Sequence, residues 1–217
     1  MDIIQNLESV KESIPQHVQL VAVSKTKPAE QIDILYNHGH RDFGENKVQE
    51  LCDKAEILAK DINWHLIGHL QRNKVKYVAP FVHLIHAVDS IKLLREIDKR
   101  AKQNDRVIDY LFQVHIADEE SKFGWGSEEL IRIIGAGEHL AFKNTRLRGF
   151  MGMATFTDVE QQVANEFESL HQIFNQFRSE TVNILSMGMS GDYPIAIEHG
   201  SNMIRVGSQI FGERNYG

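Results

Sequence analysis

A chain of 217 residues, 42% hydrophobic and 25% charged, has an ordinary globular composition and enough length for one substantial core. Its net charge of −6 argues against a general nucleic-acid surface, and no apolar run approaches the length needed to span a bilayer. Cys52 is the only cysteine, so no intrachain disulfide can form. Its neighbours Leu51 and Asp53 do not activate it, which suits a structural thiol and a cytoplasmic setting.

The leading segment, residues 2–13, is acidic, polar and amphipathic and is predicted as a helix. It lacks the basic start and apolar centre of a signal peptide. Residues 19–24 follow as a short β-branched run, bounded by Gln19 and the Thr26-Lys27-Pro28 turn. The run is too short for a helix and reads as a fully buried strand. Further strands are expected near 41–44, 63–67, 82–86, 108–116, 147–152, 182–187 and 203–206. Helices are expected between them, near 29–38, 46–60, 72–78, 90–103, 127–135, 158–178 and 191–199. The 158–178 helix carries Val163, Phe167, Leu170, Phe174 and Phe177 at helical spacing, a packing face rather than a cofactor box. No linker, low-complexity segment or composition shift divides the chain, so one domain over 1–217 is expected. Eight strands with intervening helices, about 25 residues per unit, match the count and size of a (β/α)8 barrel. A doubly wound open sheet is the alternative.

Lys25 stands at the end of the first predicted strand. A lysine at the mouth of a buried strand can present one amine to a carbonyl ligand. Partial desolvation lowers its pKa, and the free amine can then form a Schiff base. Alone, such a lysine is more often a solvated surface group. Near the other end, the runs 184–190 and 203–212 both break into Gly and Ser. Gly188 and Gly207 allow close backbone approach, Ser190 and Ser208 add hydroxyls, and N–H groups at such turns can cradle an anion. Spacing alone fits ordinary strand-closing turns equally well. A barrel would bring Lys25, Asn46, Ser190 and Gly207 to one mouth, because all four fall at or just after strand ends.

Several other residues carry plainer expectations. His65 and His69 are four apart, but Gly68 and the Trp64-His-Leu-Ile run put them on a strand and its turn. No carboxylate at metalloprotease spacing accompanies them, so no metal site is expected. Glu45 reads as a helix N-terminal charge. His86 and Asp89 flank the end of the fourth strand, and Asp89-Ser90 reads as a helix N-cap. Glu119-Glu-Ser-Lys122 reads as a solvated loop near the mouth.

Taken together, these stretches resemble the YggS/PROSC family of pyridoxal 5′-phosphate (PLP)-binding homeostasis proteins. The resemblance is carried by Val21-Ala-Val-Ser-Lys-Thr-Lys-Pro28, Phe43-Gly-Glu-Asn46 with Val48-Gln-Glu50, and Trp64-His-Leu-Ile-Gly-His-Leu-Gln71 with Asn73-Lys74. It continues through His86-Ala-Val-Asp-Ser90, Glu119-Glu-Ser-Lys122 with Gly124, and Leu147-Arg-Gly149. Leu185-Ser-Met-Gly-Met-Ser190 and Arg205-Val-Gly-Ser208 with Ile210-Phe-Gly212 complete it. His115, and Gly126-Ser127 after Phe123-Gly-Trp125, depart from the family pattern without touching the lysine or phosphate motifs.

The resemblance implies a (β/α)8 TIM barrel like the N-terminal PLP-binding barrel of alanine racemase, with an extra N-terminal helix. It implies PLP held as a Schiff base on Lys25, and its phosphate on Ser190 and the backbone N–H groups of Gly207 and Ser208. Arg205 precedes Gly207 by two residues and so shares its side of the strand. Alanine racemase carries a comparable Arg-x-Gly on its last strand, and by that similarity Arg205 faces the pyridine nitrogen. Asn46 either bonds the PLP phenolic oxygen or ties down its loop. Lys27 decorates the rim, and Lys122 approaches the phosphate or a second ligand. The function implied is PLP homeostasis by a monomer that holds the cofactor and passes it to apoenzymes without turnover. An amino-acid racemase is the alternative, and a PLP-free aldolase-type barrel a third. A guanidinium at the ring nitrogen disfavours its protonation and weakens the electron sink. A two-base racemase needs a second acid/base group. The chain ends at Gly217 just after the eighth strand, leaving only Tyr216 as a poor candidate for it.

Overall fold

The structure, a computed structural model, describes residues 2–118 and 123–213. Its frame is eight strands: β1 (Gln19–Val23), β2 (Asp42–Glu45), β3 (Asn63–Leu66), β4 (Leu84–Val88), β5 (Ile108–Gln113), β6 (Thr145–Met151), β7 (Ile184–Met189) and β8 (Met203–Val206). They pair in sequence order, all parallel, into a closed barrel. Closure is made by β1 on β8, with Val21 opposite Arg205 and Ala22 opposite Val206. That pairing decides for the barrel over the open sheet, because a closed ring has no edge strand left to cover.

The helices form the outer layer: α1 (Ile3–Glu12), α2 (Ala29–Asn37), α3 (Val48–Ile57), α4 (Val75–Val78), α5 (Ile91–Gln103), α6 (Ser127–Gly135), α7 (Glu160–Phe177), α8 (Tyr193–Glu198) and α9 (Ser208–Phe211). Asp2 caps α1 by accepting from the N–H groups of Ile4 and Gln5, and Ile3, Leu7 and Val10 form its buried stripe. Val163, Phe167, Leu170 and Phe174 of α7 are buried against the barrel, as their spacing predicts. The stretch predicted as one helix over 72–78 is a 3-10 turn at Arg72–Lys74 running into α4. The strand predicted over 108–116 ends at Gln113, beyond which Val114 bridges only Trp125. The short helix α9 was not expected, since four residues are too few to show a helical period.

The large core lies between the strands' outer faces and the helices and includes Phe43, Phe112, Phe150 and Phe167, all fully buried. Inside the barrel is a smaller apolar layer of Val21, Leu84, Ala87, Leu111, Met151 and Met203. That layer is only part of the filling. His65, His86, Ser186 and Arg205 are also buried polar residues of these strands. Among the described residues no helix is long and apolar enough to cross a membrane.

Candidate functional site

The barrel brings the first and last strands' motifs side by side. Side chains alternate along a strand, so Val21 in the inner layer sets Val23 on the inward line at the end of β1. Lys25 is half-buried, two residues beyond β1. Across the closure, a Cβ at Gly207 would meet the Val23 carbonyl oxygen at 3.0 Å and the Val23 Cβ at 3.2 Å. Any side chain there would crowd the lysine strand, and the glycine lets the β8–α9 turn approach it without displacing Val23. The Gly207 N–H donates to Ser190 Oγ at 3.2 Å, and Gln209 Nε2 donates to the Ser190 carbonyl at 2.8 Å. The turns after β7 and β8 are therefore one unit. Ser208 opens α9 on the exposed side of that unit.

Asn46 is half-buried just past β2. Gly68, in the turn after β3, holds it in place: a Cβ there would fall 2.4 Å from the Asn46 carbonyl oxygen. So Lys25, Asn46, Ser190, Gly207 and Ser208 all lie at the C-terminal ends of their strands, on one mouth. Lys27 turns away from it. Its Nζ donates to the carbonyls of Phe211, Gly212 and Glu213 at 3.0–3.1 Å and caps the end of α9. The expectation of a mere rim group is corrected to that of a clasp between the first turn and the last helix. Lys122 and Tyr216 lie outside the described residues.

The lysine turn is strained and braced. Thr26 has φ of 65°, a left-handed setting that a β-branched residue rarely adopts. Its N–H donates to Glu50, and the Lys27 N–H to the Ser24 carbonyl at 3.0 Å. Ser24 Oγ donates to Glu45 Oε1 at 2.6 Å. Lys54 Nζ binds Glu45 at 2.7 Å, Glu50 at 2.8 Å and the Ser24 carbonyl at 2.9 Å. Glu45 is thus no helix-end charge: it is 0% exposed, and burial pushes its carboxyl up while Lys54 works against that shift. One signal could have exposed this brace. Lys54 sits on the apolar face of α3 with Leu51 and Ala55, where an unpaired lysine would be costly.

Arg205 is 4% exposed, and among the described residues its hydrogen-bond acceptors are uncharged. Nη1 donates to Ser186 Oγ at 2.6 Å and Nη2 to the Gly152 carbonyl at 3.0 Å. Burial pulls its pKa down to about 10 and Asp192 pulls the other way, so it is a cation at neutral pH. Ser186 also meets His86, which meets His65, which meets Asp42 at the barrel floor. His86 is therefore an interior side chain. Only Ser90 of the expected pair caps α5, accepting from the Leu93 N–H, while Asp89 pairs with His69 at 3.1 Å.

His65 and His69 do not converge: the first is buried in the barrel, the second stacks on Phe123 at 4.0 Å on the rim. A different trio, Asp42, His65 and His83, brings donor atoms within 4.8 Å of one another on the floor. There His65 Nε2 and Asp42 Oδ1 are already bonded to each other at 3.0 Å, and a metal would have to break that bond. Cys52, half-buried, has its thiol pushed up by burial, which leaves it unreactive.

The N-terminal domain of alanine racemase is the family model that matches, over residues 2–215. The chain is 39% identical to the pyridoxal phosphate homeostasis protein of Synechocystis over 207 residues, which cover 93% of this chain and 94% of that one. It is 38% identical to the human pyridoxal phosphate homeostasis protein, over 91% of this chain and 77% of the human one. Among solved structures, PipY of Synechococcus elongatus with PLP bound superimposes with a TM-score of 0.87 at 32% identity, covering 97% of this chain and all of PipY.

Proposed function

The chain belongs to the pyridoxal phosphate homeostasis protein family, and on that premise we propose that it holds PLP reversibly and releases it to apoenzymes without turnover of its own. One observation carries the reading. A half-buried lysine and a Gly/Ser anion turn share one mouth across the β1–β8 closure, with a buried cation two residues down β8.

The donor set fits the cofactor. PLP supplies an aldehyde, a phosphate and a pyridine nitrogen. The Lys25 amine would hold the aldehyde carbon covalently and reversibly, one water leaving to solvent on capture and one being taken up from it on release. Ser190 Oγ and the Ser208 N–H would take the phosphate, and the Gly207 N–H would join them by exchanging its bond to Ser190 Oγ for one to the anion. Arg205 faces the ring nitrogen. A buried cation whose hydrogen-bond acceptors are uncharged favours a neutral, electron-rich atom before it, and a ring nitrogen kept unprotonated is a weak electron sink. Asn46, half-buried at the same mouth, would bond the phenolic oxygen or tie down its loop. These residues grip the cofactor and restrain its chemistry.

The test is an absorption spectrum of the purified protein, followed by borohydride. The reading expects a yellow protein that borohydride bleaches, and reactivation of an added PLP-dependent apoenzyme by the untreated holoprotein. Saturable racemisation of one amino acid, well above the background of free PLP, overturns the carrier reading in favour of a racemase.

A further inference from the structure

Five polar side chains from five strands join across the barrel interior. Arg205 of β8 donates to Ser186 of β7 at 2.6 Å. Ser186 Oγ lies 3.2 Å from Nδ1 of His86 on β4, and His86 Nε2 lies 3.0 Å from Nδ1 of His65 on β3. His65 Nε2 ends the run 3.0 Å from Asp42 Oδ1 on β2, where the Asp42 side chain is 19% exposed at the floor. Apolar packing of equal volume would serve stability at least as well as such a run. The reason for it has to lie in what it does at its upper end.

The two ends impose a direction. A guanidinium can only donate and a carboxylate can only accept. Ser186 accepts from Arg205, so its own proton turns to His86 Nδ1. His86 then carries its proton on Nε2 and gives it to His65 Nδ1, and His65 gives its Nε2 proton to Asp42. This one assignment satisfies both nitrogens of each imidazole and the Ser186 hydroxyl, and it leaves Arg205 further N–H groups to present elsewhere. Burial above all pushes the His86 pKa well down, and the Arg205 charge pushes the same way, which suits a neutral ring.

We propose that His86 and His65 are positioning residues: they hold Ser186 as an acceptor toward Arg205 and so fix how its guanidinium is presented to the PLP ring nitrogen. The proposal rests on the PLP reading above. In it, His86 touches no cofactor atom. It acts through Ser186, and its effect belongs to the ring nitrogen alone.

That restriction gives the test. The full chain and its His86→Leu, His86→Gln and Ser186→Ala variants are titrated with PLP and with the analogue in which a CH replaces the ring nitrogen. The melting temperature of each is recorded. His86→Leu and Ser186→Ala should bind PLP about tenfold more weakly and shift the absorption band of the bound cofactor. They should change affinity for the nitrogen-free analogue by less than about twofold. Glutamine can accept on its oxygen and donate from its amide, so His86→Gln should recover most of the PLP affinity. Equal losses for both ligands, or unchanged PLP affinity in either broken variant, overturn the proposal. Should His86→Leu fail to fold, Ser186→Ala removes the same link with a smaller change and decides alone. A wild-type chain that binds neither ligand overturns the PLP reading itself. One that binds both with equal affinity overturns only the link from Arg205 to the ring nitrogen.

Discussion

At the scale of single residues, the proposed site has the lysine and the anion turn answer to different parts of one ligand, so their variants should separate. Lys25→Ala should abolish the yellow band and leave the melting temperature nearly unchanged, because a half-buried mouth lysine is not core. Peptide mapping after borohydride should find the label on the peptide containing Lys25. Label mainly on Lys27 or Lys122 would sink the assignment. Ser190→Ala combined with Gly207→Val removes a hydroxyl and drives a side chain toward the Val23 carbonyl, 3.0 Å from the first added carbon. That pair should weaken PLP by about a hundredfold, the equivalent of two or three lost donors, and unphosphorylated pyridoxal far less. Equal losses would place the anion site elsewhere. Lys25 and Ser190 could be singled out because each stands just past an apolar run, and Arg205 because it precedes the break at Gly207 in an Arg-x-Gly resembling that of alanine racemase. The Ser24–Glu45–Lys54 brace and the His65–His86 contact were not. Their members lie 9 to 30 residues apart and meet only once strands from different units are neighbours.

At the scale of elements, the β1–α2 turn shows how a strained segment is kept. Thr26 holds its left-handed setting because Glu50 takes its N–H, and Glu50 is itself held by Lys54 from one turn along α3. Lys54 also neutralises Glu45, a carboxylate with no exposure to water. Lys54→Ala would therefore strand a buried charge and release the turn together. The expected cost is about 3 kcal/mol, visible as a drop of several degrees in melting temperature, along with weaker PLP binding. A stable variant with unchanged PLP affinity would show that the brace is dispensable. Strands such as β1, β4 and β7 were legible because each is a short, largely apolar run, and the count of eight together with the resemblance chose the architecture. The four-residue helix α9 was hidden, since Ile210 and Phe211 look the same in a strand's tail as in one turn of helix.

At the scale of the molecule, buried histidines should govern behaviour in acid. His40 is held down to about 4 by burial and the nearby Lys11 and His65, against the pull of Asp42. Burial also lowers His83, His86 and His139. Each binds a proton more readily unfolded, below its ordinary value of 6.5, than folded. The unfolded state thus takes up more protons in that window, and stability falls as pH drops from about 6.5 toward 4. His40 alone accounts for on the order of 3 kcal/mol. Melting temperatures measured from pH 7.5 to 4.5 should decline across this range, and His40→Asn should flatten the slope. A flat profile in the parent protein would show that these rings are solvated.

On the reading proposed above, the seam between β1 and β8 makes cofactor capture a matter of timing as well as of chemistry. The lysine belongs to the first strand and the phosphate turn to the last, and Lys27 clasps the two only when both are present. Closing a ring across nearly the whole chain is the most entropically demanding contact in it. A nascent chain emerging N-terminus first therefore exposes its amine long before it can retain an aldehyde there. Retention begins when the residues around 208 clear the ribosome, so ribosome-bound chains stalled short of β8 should stay colourless in PLP while chains stalled well beyond it turn yellow.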